Sequence, residues 1–437
     1  MTGLLLCLCA FVMSYLAGRH SLVRGLAAVC GVGYVYGIAR AWVYSTPAYF
    51  LFDAALIGLY LAQLFPRSPV PGTATMRQLK IWIGLLVLWP LLLLFVPVQP
   101  YLVQLVGLRC AVFFLMCVLL GARLAGEDLY EFALWLAGLN LIALVAGAAE
   151  FTMGIERFIP VNDVTAIMYA SKDVGEGMAH RIPSIFSSAH AYGGTMVATV
   201  PFLVGAWLQP RRPLLQRALI VAGLLAAILG VLISAARMHF VILAALLLVL
   251  NISLKMRAVH RFTLLAAMAL LGFLVSQQER MQRFTSLSKV EEVSDRVRFS
   301  LSSDFWTLAQ ELPMGNGLGG GGTNMPYFLA GQIRNRLIIE NEYARILLEE
   351  GWVGLLLWLA FIVWIFTRRS RGCDPNWIAG RRMAWVLAFL SNATAFIGNG
   401  LLVSIPQSVI MLVTLGWIVS GGPYSISGRK GQVSHAC

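Results

Sequence analysis

Charged side chains are the scarcest component of this sequence. Asp, Glu, Lys and Arg make up 12% of the 437 residues, whereas hydrophobic residues make up 59%. A soluble domain carries about 25% charged residues, so this composition excludes an ordinary water-soluble fold. We therefore expect an integral membrane protein.

Cysteine and histidine are also few, at seven and six residues, and acidic residues number only 20 against 33 basic ones. Neither the cysteines nor the histidines cluster at metal-ligand spacing, so we expect no structural disulfide, no metal and no cofactor. The net charge of +13 is explained by attraction of cytoplasmic loops to anionic lipid. Nucleic acid is therefore not an expected partner.

Long hydrophobic runs are what the sequence has most of. Each is close to the roughly 20 residues that a helix needs to cross a hydrocarbon core about 30 Å thick. The candidate spans lie near 2–17, 22–39, 46–65, 80–98, 101–122, 129–150, 183–208, 214–233, 237–254, 261–278, 346–367, 380–400 and 402–421. Because the outermost runs are short or crowded, we predict an all-α polytopic fold with about 12–14 transmembrane helices.

Basic residues gather in alternate short connections, which the positive-inside rule assigns to the cytoplasm. The C-terminus is then cytoplasmic, and the two long connections face the opposite side. The predicted parts are N-terminal helices at 1–150, a periplasmic loop at 151–182, central helices at 183–278, a large periplasmic loop at 279–345, and C-terminal helices with a cytoplasmic tail at 346–437. Since ATP and nucleotide sugars are cytoplasmic, a reaction on the opposite face needs an activated substrate delivered through the membrane, such as a lipid-linked one.

A glycine-rich run at 315–322 interrupts the large loop and excludes a continuous helix there. Its backbone N–H groups can bind a phosphate as a nest does, with Gly317 and Gly319 as candidate contacts. The run lacks the Lys-Ser/Thr of a P-loop and no strand precedes it, so a flexible hinge is the alternative. Upstream, residues 295–312 mix charge with apolar side chains, which predicts a short amphipathic helix on the membrane face.

A charged turn follows this run and leads into a membrane span. On a helix, Glu342, Arg345 and Glu349 share one face, which is compatible with a solvated, salt-bridged first turn. The functional interpretation is a general base near the membrane surface, with Glu340 as the candidate. Candidate substrate contacts beside it are Asn341, Glu342, Tyr343 and Arg345.

Four arginines border spans or the large loop on the non-cytoplasmic side: Arg181, Arg237, Arg296 and Arg298. Guanidinium groups bind phosphate through paired, charge-assisted hydrogen bonds, so these residues are candidates for holding a phosphorylated substrate. The alternative is that each reaches out to lipid headgroups.

Other polar residues lie inside the predicted spans. Asp53 and Arg109 have opposite charge, and we predict that they form a structural ion pair because a lone charge in the membrane is costly. His190 and His239 are interpreted as hydrogen-bonded packing residues rather than ligands.

The order and topology of these motifs resemble the O-antigen ligase/polymerase superfamily (Wzy-like and WaaL-like membrane proteins) over roughly residues 140–370. Arg181 and the turn Ser234–Arg237 resemble the earlier arginine positions of the family. The later matching segments are Arg296, Pro313-Met-Gly-Asn-Gly-Leu-Gly319, Glu340-Asn-Glu-Tyr343 and Glu350-Gly-Trp-Val-Gly354.

The resemblance implies metal-independent, inverting glycosyl transfer at the periplasmic face of the bacterial inner membrane. The donor would be a glycan on undecaprenyl diphosphate, with the arginines holding the diphosphate. Glu340 stands where ligases of the family carry His, which favours a polymerase of a surface or exported polysaccharide. Implied partners are the lipid-linked glycan, membrane lipids and polysaccharide export or chain-length proteins.

Two alternatives stay open. One is a ligase that moves a finished glycan to another acceptor. The other is a flippase for a lipid-linked sugar, which would place charged residues along a path through the spans. In this sequence the charges gather on one face, which favours an enzyme.

Overall fold

The computed structural model describes residues 1–64, 74–170, 180–253, 305–322, 325–334, 341–368, 375–397, 402 and 404–420. Regular secondary structure in these residues is helical, without strands. The α-helices are α1 (Thr2–His20), α2 (Leu22–Trp42), α3 (Leu51–Leu64), α4 (Ala74–Leu93), α5 (Tyr101–Val112), α6 (Met116–Gly121), α7 (Glu127–Met153), α8 (Ala166–Ala170), α9 (Ala189–Trp207), α10 (Leu214–Ile233), α11 (Arg237–Ser253), α12 (Phe305–Glu311), α13 (Glu342–Thr367), α14 (Ile378–Thr394) and α15 (Gln407–Val419).

Eight segments of the described chain are long and apolar enough to cross a membrane: α1, α2, α3 with the turn before it, α4, α5 together with α6, α7, α10 and α13. The predicted spans at 183–208, 237–254, 380–400 and 402–421 also coincide with helices, α9, α11, α14 and α15, of 13 to 19 residues. The predicted span at 261–278 lies outside the described residues. The prediction of a polytopic all-α membrane protein is confirmed.

Buried polar contacts join the central helices. Asn140 of α7 accepts a hydrogen bond from the Tyr34 hydroxyl of α2 at 2.6 Å and donates to Thr199 Oγ1 of α9 at 2.9 Å. The same amide donates to the Gly223 carbonyl of α10. Hydrogen bonds of this kind orient helices that gain little from apolar contact alone in a lipid environment. One asparagine thus fixes four helices relative to one another.

The predicted ion pair between α3 and α5 is confirmed. Arg109 donates from Nε to Asp53 Oδ1 at 2.7 Å and from Nη2 to Oδ2 at 2.8 Å. The Asp53 side chain is 9% exposed and that of Arg109 is 15% exposed. Because both carboxylate oxygens meet the guanidinium fork, the pair is closed and carries no net charge.

Candidate active site at one end of the helix bundle

Described parts of both long connections meet the end of α2. The Tyr44 hydroxyl, just after α2, donates to Asp163 Oδ2 at 2.6 Å, and its ring stacks on Tyr327 with centroids 5.7 Å apart. Trp42 Nε1 donates to the Phe158 carbonyl at 3.0 Å. The connections at 151–182 and 279–345, which are far apart in sequence, are therefore brought together at one end of the bundle.

The segment that follows Arg181 enters the bundle without helical structure. Ser184 has a positive φ of 53°, and its N–H donates to Glu150 Oε2 at 2.7 Å. Its hydroxyl donates to the Ala143 carbonyl at 2.7 Å, while Ile185 accepts from the backbone of α2 at Ile38. Irregular backbone at membrane depth is tolerated where protein groups satisfy it. The helix therefore starts at 189, later than the span predicted at 183.

The first turns of α9 and α11 touch. A side chain at Gly193 would bring its Cβ to 2.6 Å from Ser234 Oγ, so only glycine permits this approach. One turn earlier, the ring of His190 lies against that of His239, with centroids 4.4 Å apart. Arg237 is the first residue of α11, and Arg181 precedes the segment that leads into α9. Arg181 and Arg237, the two predicted phosphate-binding arginines, are half-buried. They lie at the starts of two segments that contact each other.

The glycine-rich run forms a buried bend rather than a loop open to solvent. Positive φ angles of 66° to 82° occur at four glycines: Gly315, Gly317, Gly319 and Gly322. Residues 316–321 are buried. Internal oxygens accept the N–H groups of residues 315, 316, 320, 321 and 322, so these donors are not offered to a phosphate. Gly317 and Gly319 lie inside the bend, against residues of the α4–α5 connection and α5.

The bend is bonded to a break in α13. Gly351 has φ 69° and ψ −172°, which divides the helix into two segments where the sequence predicted a continuous run. Asn316 donates its N–H to the Leu348 carbonyl at 2.5 Å, and Trp352 donates to the Pro313 carbonyl at 3.1 Å. The Glu350 carbonyl accepts from Trp89 Nε1 of α4 at 2.9 Å. The backbone groups released by the break are therefore satisfied by the bend and by α4.

A buried ion triad lies on the short first segment of α13. Arg345 donates to Glu342 Oε1 at 2.6 Å and to Glu349 Oε2 at 2.8 Å. These side chains are 2–5% exposed. The predicted shared face is confirmed, but the solvated first turn is wrong, because the bend covers this face and donates Gly321 N–H to Glu349 at 3.3 Å. With both carboxylates ionised, the triad carries one net negative charge.

A cavity opens beside the triad at the helix break. It has a volume of about 20 Å³ and is lined by Arg345, Glu350 and Trp358 of α13 and by apolar side chains that include Leu86 and Leu115. Two of its lining donors, Arg345 Nε and Trp358 Nε1, are buried without a hydrogen-bond partner among the described residues. The break thus creates a small polar space between apolar walls.

Two predicted substrate contacts have structural partners. Asn341 caps α13, since its Oδ1 accepts from the N–H groups of Tyr343 at 3.0 Å and Ala344 at 3.2 Å. The Tyr343 hydroxyl donates to the Asn392 carbonyl at 3.0 Å, and its ring stacks on Phe396 at 4.0 Å. These contacts fix the start of α13. The predicted residues Glu340, Arg296 and Arg298 lie outside the described part of the chain.

Sequence reasoning missed Glu150, which is 2% exposed at the end of α7 and holds the segment after Arg181 through Ser184. The criterion that selected Arg181, an ionisable residue at the edge of a span, also applies to Glu150. For metal binding, the described residues contain no group of three His, Cys, Asp or Glu side chains that could hold an ion.

Residues 221–359 match a family model described as O-antigen ligase. No curated protein matches the chain. The matched region extends from α10 to the middle of α13, and it includes Arg237, the glycine bend, the ion triad and the break at Gly351. The family match therefore covers part of the site, whereas Arg181, Glu150 and the start of α9 precede it.

Proposed function

We propose that this chain polymerises repeat units linked to undecaprenyl diphosphate, and the match of residues 221–359 to the O-antigen ligase family model supports this proposal. The reaction would be an inverting, metal-independent glycosyl transfer on the periplasmic side of the inner membrane. One observation carries this proposal: the segments headed by Arg181 and Arg237 converge through the first turns of α9 and α11. Two guanidinium-bearing elements at one site suit a diphosphate.

In this reaction the hydroxyl oxygen of the acceptor sugar forms a bond to the anomeric carbon of the donor. The bond between that carbon and the phosphate oxygen breaks, and its electron pair leaves with the diphosphate. Arg181 and Arg237 stabilise the charge that develops on the leaving oxygen. We assign the hydroxyl proton to the carboxylate of Glu340, which directly precedes the residue that caps α13.

The buried elements around α13 would act by positioning. Glu342 and Arg345 form an ion pair, and Asn341 and Tyr343 bind backbone groups of helices. We therefore propose that these four residues hold the first segment of α13 in place beside the substrate. Gly317 and Gly319 would do the same through the shape of the bend. Arg296 and Arg298 are proposed as further phosphate contacts.

A ligase is the second candidate, because the description of the matched family is O-antigen ligase. It would use the same donor and the same arginines but a different acceptor. A flippase is less well supported, since the intramembrane charges Asp53 and Arg109 neutralise each other in a closed pair. Neither residue is then available to line a charged path through the bundle.

Purified protein in detergent, given lipid-linked repeat units, separates these functions because no membrane divides two compartments. We expect longer lipid-linked glycans and free undecaprenyl diphosphate. Transfer only to an added second acceptor would indicate a ligase. No product in detergent, together with transport of the lipid-linked sugar in liposomes, would contradict the enzyme and indicate a flippase. Chain-length or export proteins added to the mixture would test whether they change product length.

A further inference from the structure

Two histidines lie at the convergence of α9 and α11, and one of them, His239, has unused hydrogen-bonding capacity. His239 is 1% exposed, and neither of its ring nitrogens has a hydrogen-bond partner among the described residues. His190, half-buried, packs on it at 4.4 Å with a tilt of 58°. The sequence interpretation of His239 as a hydrogen-bonded packing residue is therefore wrong. Buried polar groups are normally paired, so this residue requires another explanation.

The surroundings of His239 do not supply the missing partner. Its Nδ1 faces the backbone of α9 at Gly193, and the neighbouring Ser234 hydroxyl already donates to the Val231 carbonyl at 2.8 Å. On the adjoining side of α9, Gln407 packs against Gly194, is 3% exposed, and has an Oε1 atom without a partner. Unpartnered polar atoms thus border α9 at two neighbouring positions, Gly193 and Gly194.

The helices α9 and α11 begin at this place, and α15 begins beside the second turn of α9. His190 is the second residue of α9, His239 the third of α11, and Gln407 the first of α15. The N-terminus of a helix carries a partial positive charge and directs N–H groups outward, which favours a bound anion. Helix starts that meet inside a membrane protein act together on an anionic group. The buried imidazole supplies a donor at the same position.

We propose that the His190–His239 pair, where the N-termini of α9 and α11 meet beside the start of α15, is part of the subsite that binds the diphosphate of the lipid-linked donor. The proposal rests on the proposed function and deepens it. His190, the more exposed ring, donates a hydrogen bond to a phosphate oxygen. His239, which packs against it, holds the His190 ring in place or donates a second hydrogen bond. Arg181 and Arg237 head the same two segments, so the histidines complete one anion site with them. Diphosphate oxygens accept hydrogen bonds and match these donors.

The test is binding of farnesyl diphosphate, a soluble isoprenyl diphosphate, to the full-length protein in detergent, measured by calorimetry. His239→Phe keeps a ring of similar size without a donor, and His239→Gln keeps a donor without the ring. We expect at least tenfold weaker binding for His239→Phe and His190→Ala, and binding within threefold of wild type for His239→Gln. His180→Ala is the matched control, because His180 belongs to the same end but pairs with Glu156 at 3.3 Å.

Wild-type affinity in both the Phe and Ala variants would overturn the inference, and so would wild-type protein that does not bind farnesyl diphosphate. Loss of farnesyl diphosphate binding in His239→Gln with normal binding in His239→Phe would also overturn the inference, since that pattern indicates that the ring of His239 matters only for packing. Binding of farnesyl monophosphate and phosphatidylglycerol is measured in the same way to distinguish the sources of phosphate. If the histidine substitutions weakened binding of phosphatidylglycerol as much as binding of farnesyl diphosphate, the site would be one for lipid headgroups, and the donor assignment would be overturned. Because binding requires no turnover, diphosphate binding without glycosyl transfer would contradict only the proposed function.

Discussion

Two buried ion clusters in this protein differ in what they hold together. Asp53 and Arg109 form a closed pair between two apolar helices, with matched charge and two parallel hydrogen bonds. In the triad, Arg345 faces two carboxylates on a helix segment that ends at a break, and one carboxylate also binds the glycine bend. The first cluster joins two helices only, whereas the second is linked through Glu349 to the glycine bend. The difference predicts that substitutions in the triad have larger effects than substitutions in the closed pair.

The largest effect is expected at Glu340, the carboxylate just before the helix that carries the triad. Glu340→Gln removes a proton acceptor while conserving size, so we expect turnover to fall by about 10²–10⁴-fold, the usual contribution of a general base. Turnover of lipid-linked repeat units and the melting temperature in detergent measure the effect. Glu156→Gln, an exposed carboxylate, is the control. Normal polymer length and yield would contradict the assignment of Glu340.

Breaking the triad itself should destabilise the protein. Arg345→Met leaves Glu342 and Glu349 buried without their cation, and loss of one partner from a buried ion pair typically costs about 3–5 kcal/mol. We expect a lower melting temperature and loss of activity, measured by thermal unfolding in detergent. If Arg345→Met melted like the wild type, the triad would contribute no more than a surface pair.

The arginines at the convergent helices test the phosphate role. Arg181→Lys and Arg237→Lys keep the charge but lose the planar fork, so we expect turnover to fall by about tenfold, with unchanged melting temperatures. Steady-state kinetics with lipid-linked donor measure this. Full activity in both variants would indicate that the side chains only reach lipid headgroups.

Glu150 should act on the same site indirectly. Glu150→Ala removes the acceptor of Ser184 N–H and leaves that donor buried, which costs about 1–3 kcal/mol. We expect higher KM for the donor with a smaller change in kcat, because the segment after Arg181 loses its anchor. Glu150→Gln retains an acceptor oxygen and should restore KM. Equal defects in both variants would indicate a requirement for the charge instead.

The smallest effect is expected at the closed pair. Replacing Asp53 and Arg109 together by Leu exchanges a buried pair for apolar contacts, which is often neutral or stabilising. We expect turnover within twofold of wild type and an unchanged or higher melting temperature, while either single substitution destabilises. Loss of activity in the stable double variant would show that this pair also belongs to the functional site.

The sequence predicted features that depend on local composition. Apolar length located the spans, and two isolated opposite charges at Asp53 and Arg109 predicted their pairing. Helical spacing predicted that Glu342 and Arg345 share a face. The sequence could not predict that this face of α13 is buried, because its burial depends on the glycine bend, whose path is set by several positive φ angles.

The sequence did not predict features that arise where segments distant in the chain come together. The break at Gly351 looks like one glycine in an apolar run until the bend is placed against it. His239 has no hydrogen-bond partner among the described residues, and no sequence pattern records the convergence of α9 and α11 beside it. The roles of Glu340, Arg296 and Arg298 stay predictions, since these residues lie outside the described part of the chain.

The hydrogen bonds between the bend and the helix break also determine how α13 is stabilised. Trp352 donates to Pro313 and Leu348 accepts from Asn316, so α13 cannot complete its own backbone hydrogen bonding in lipid. Without the bend, these backbone groups would face lipid unpaired, which is costly. The bend and the break in α13 therefore stabilise each other.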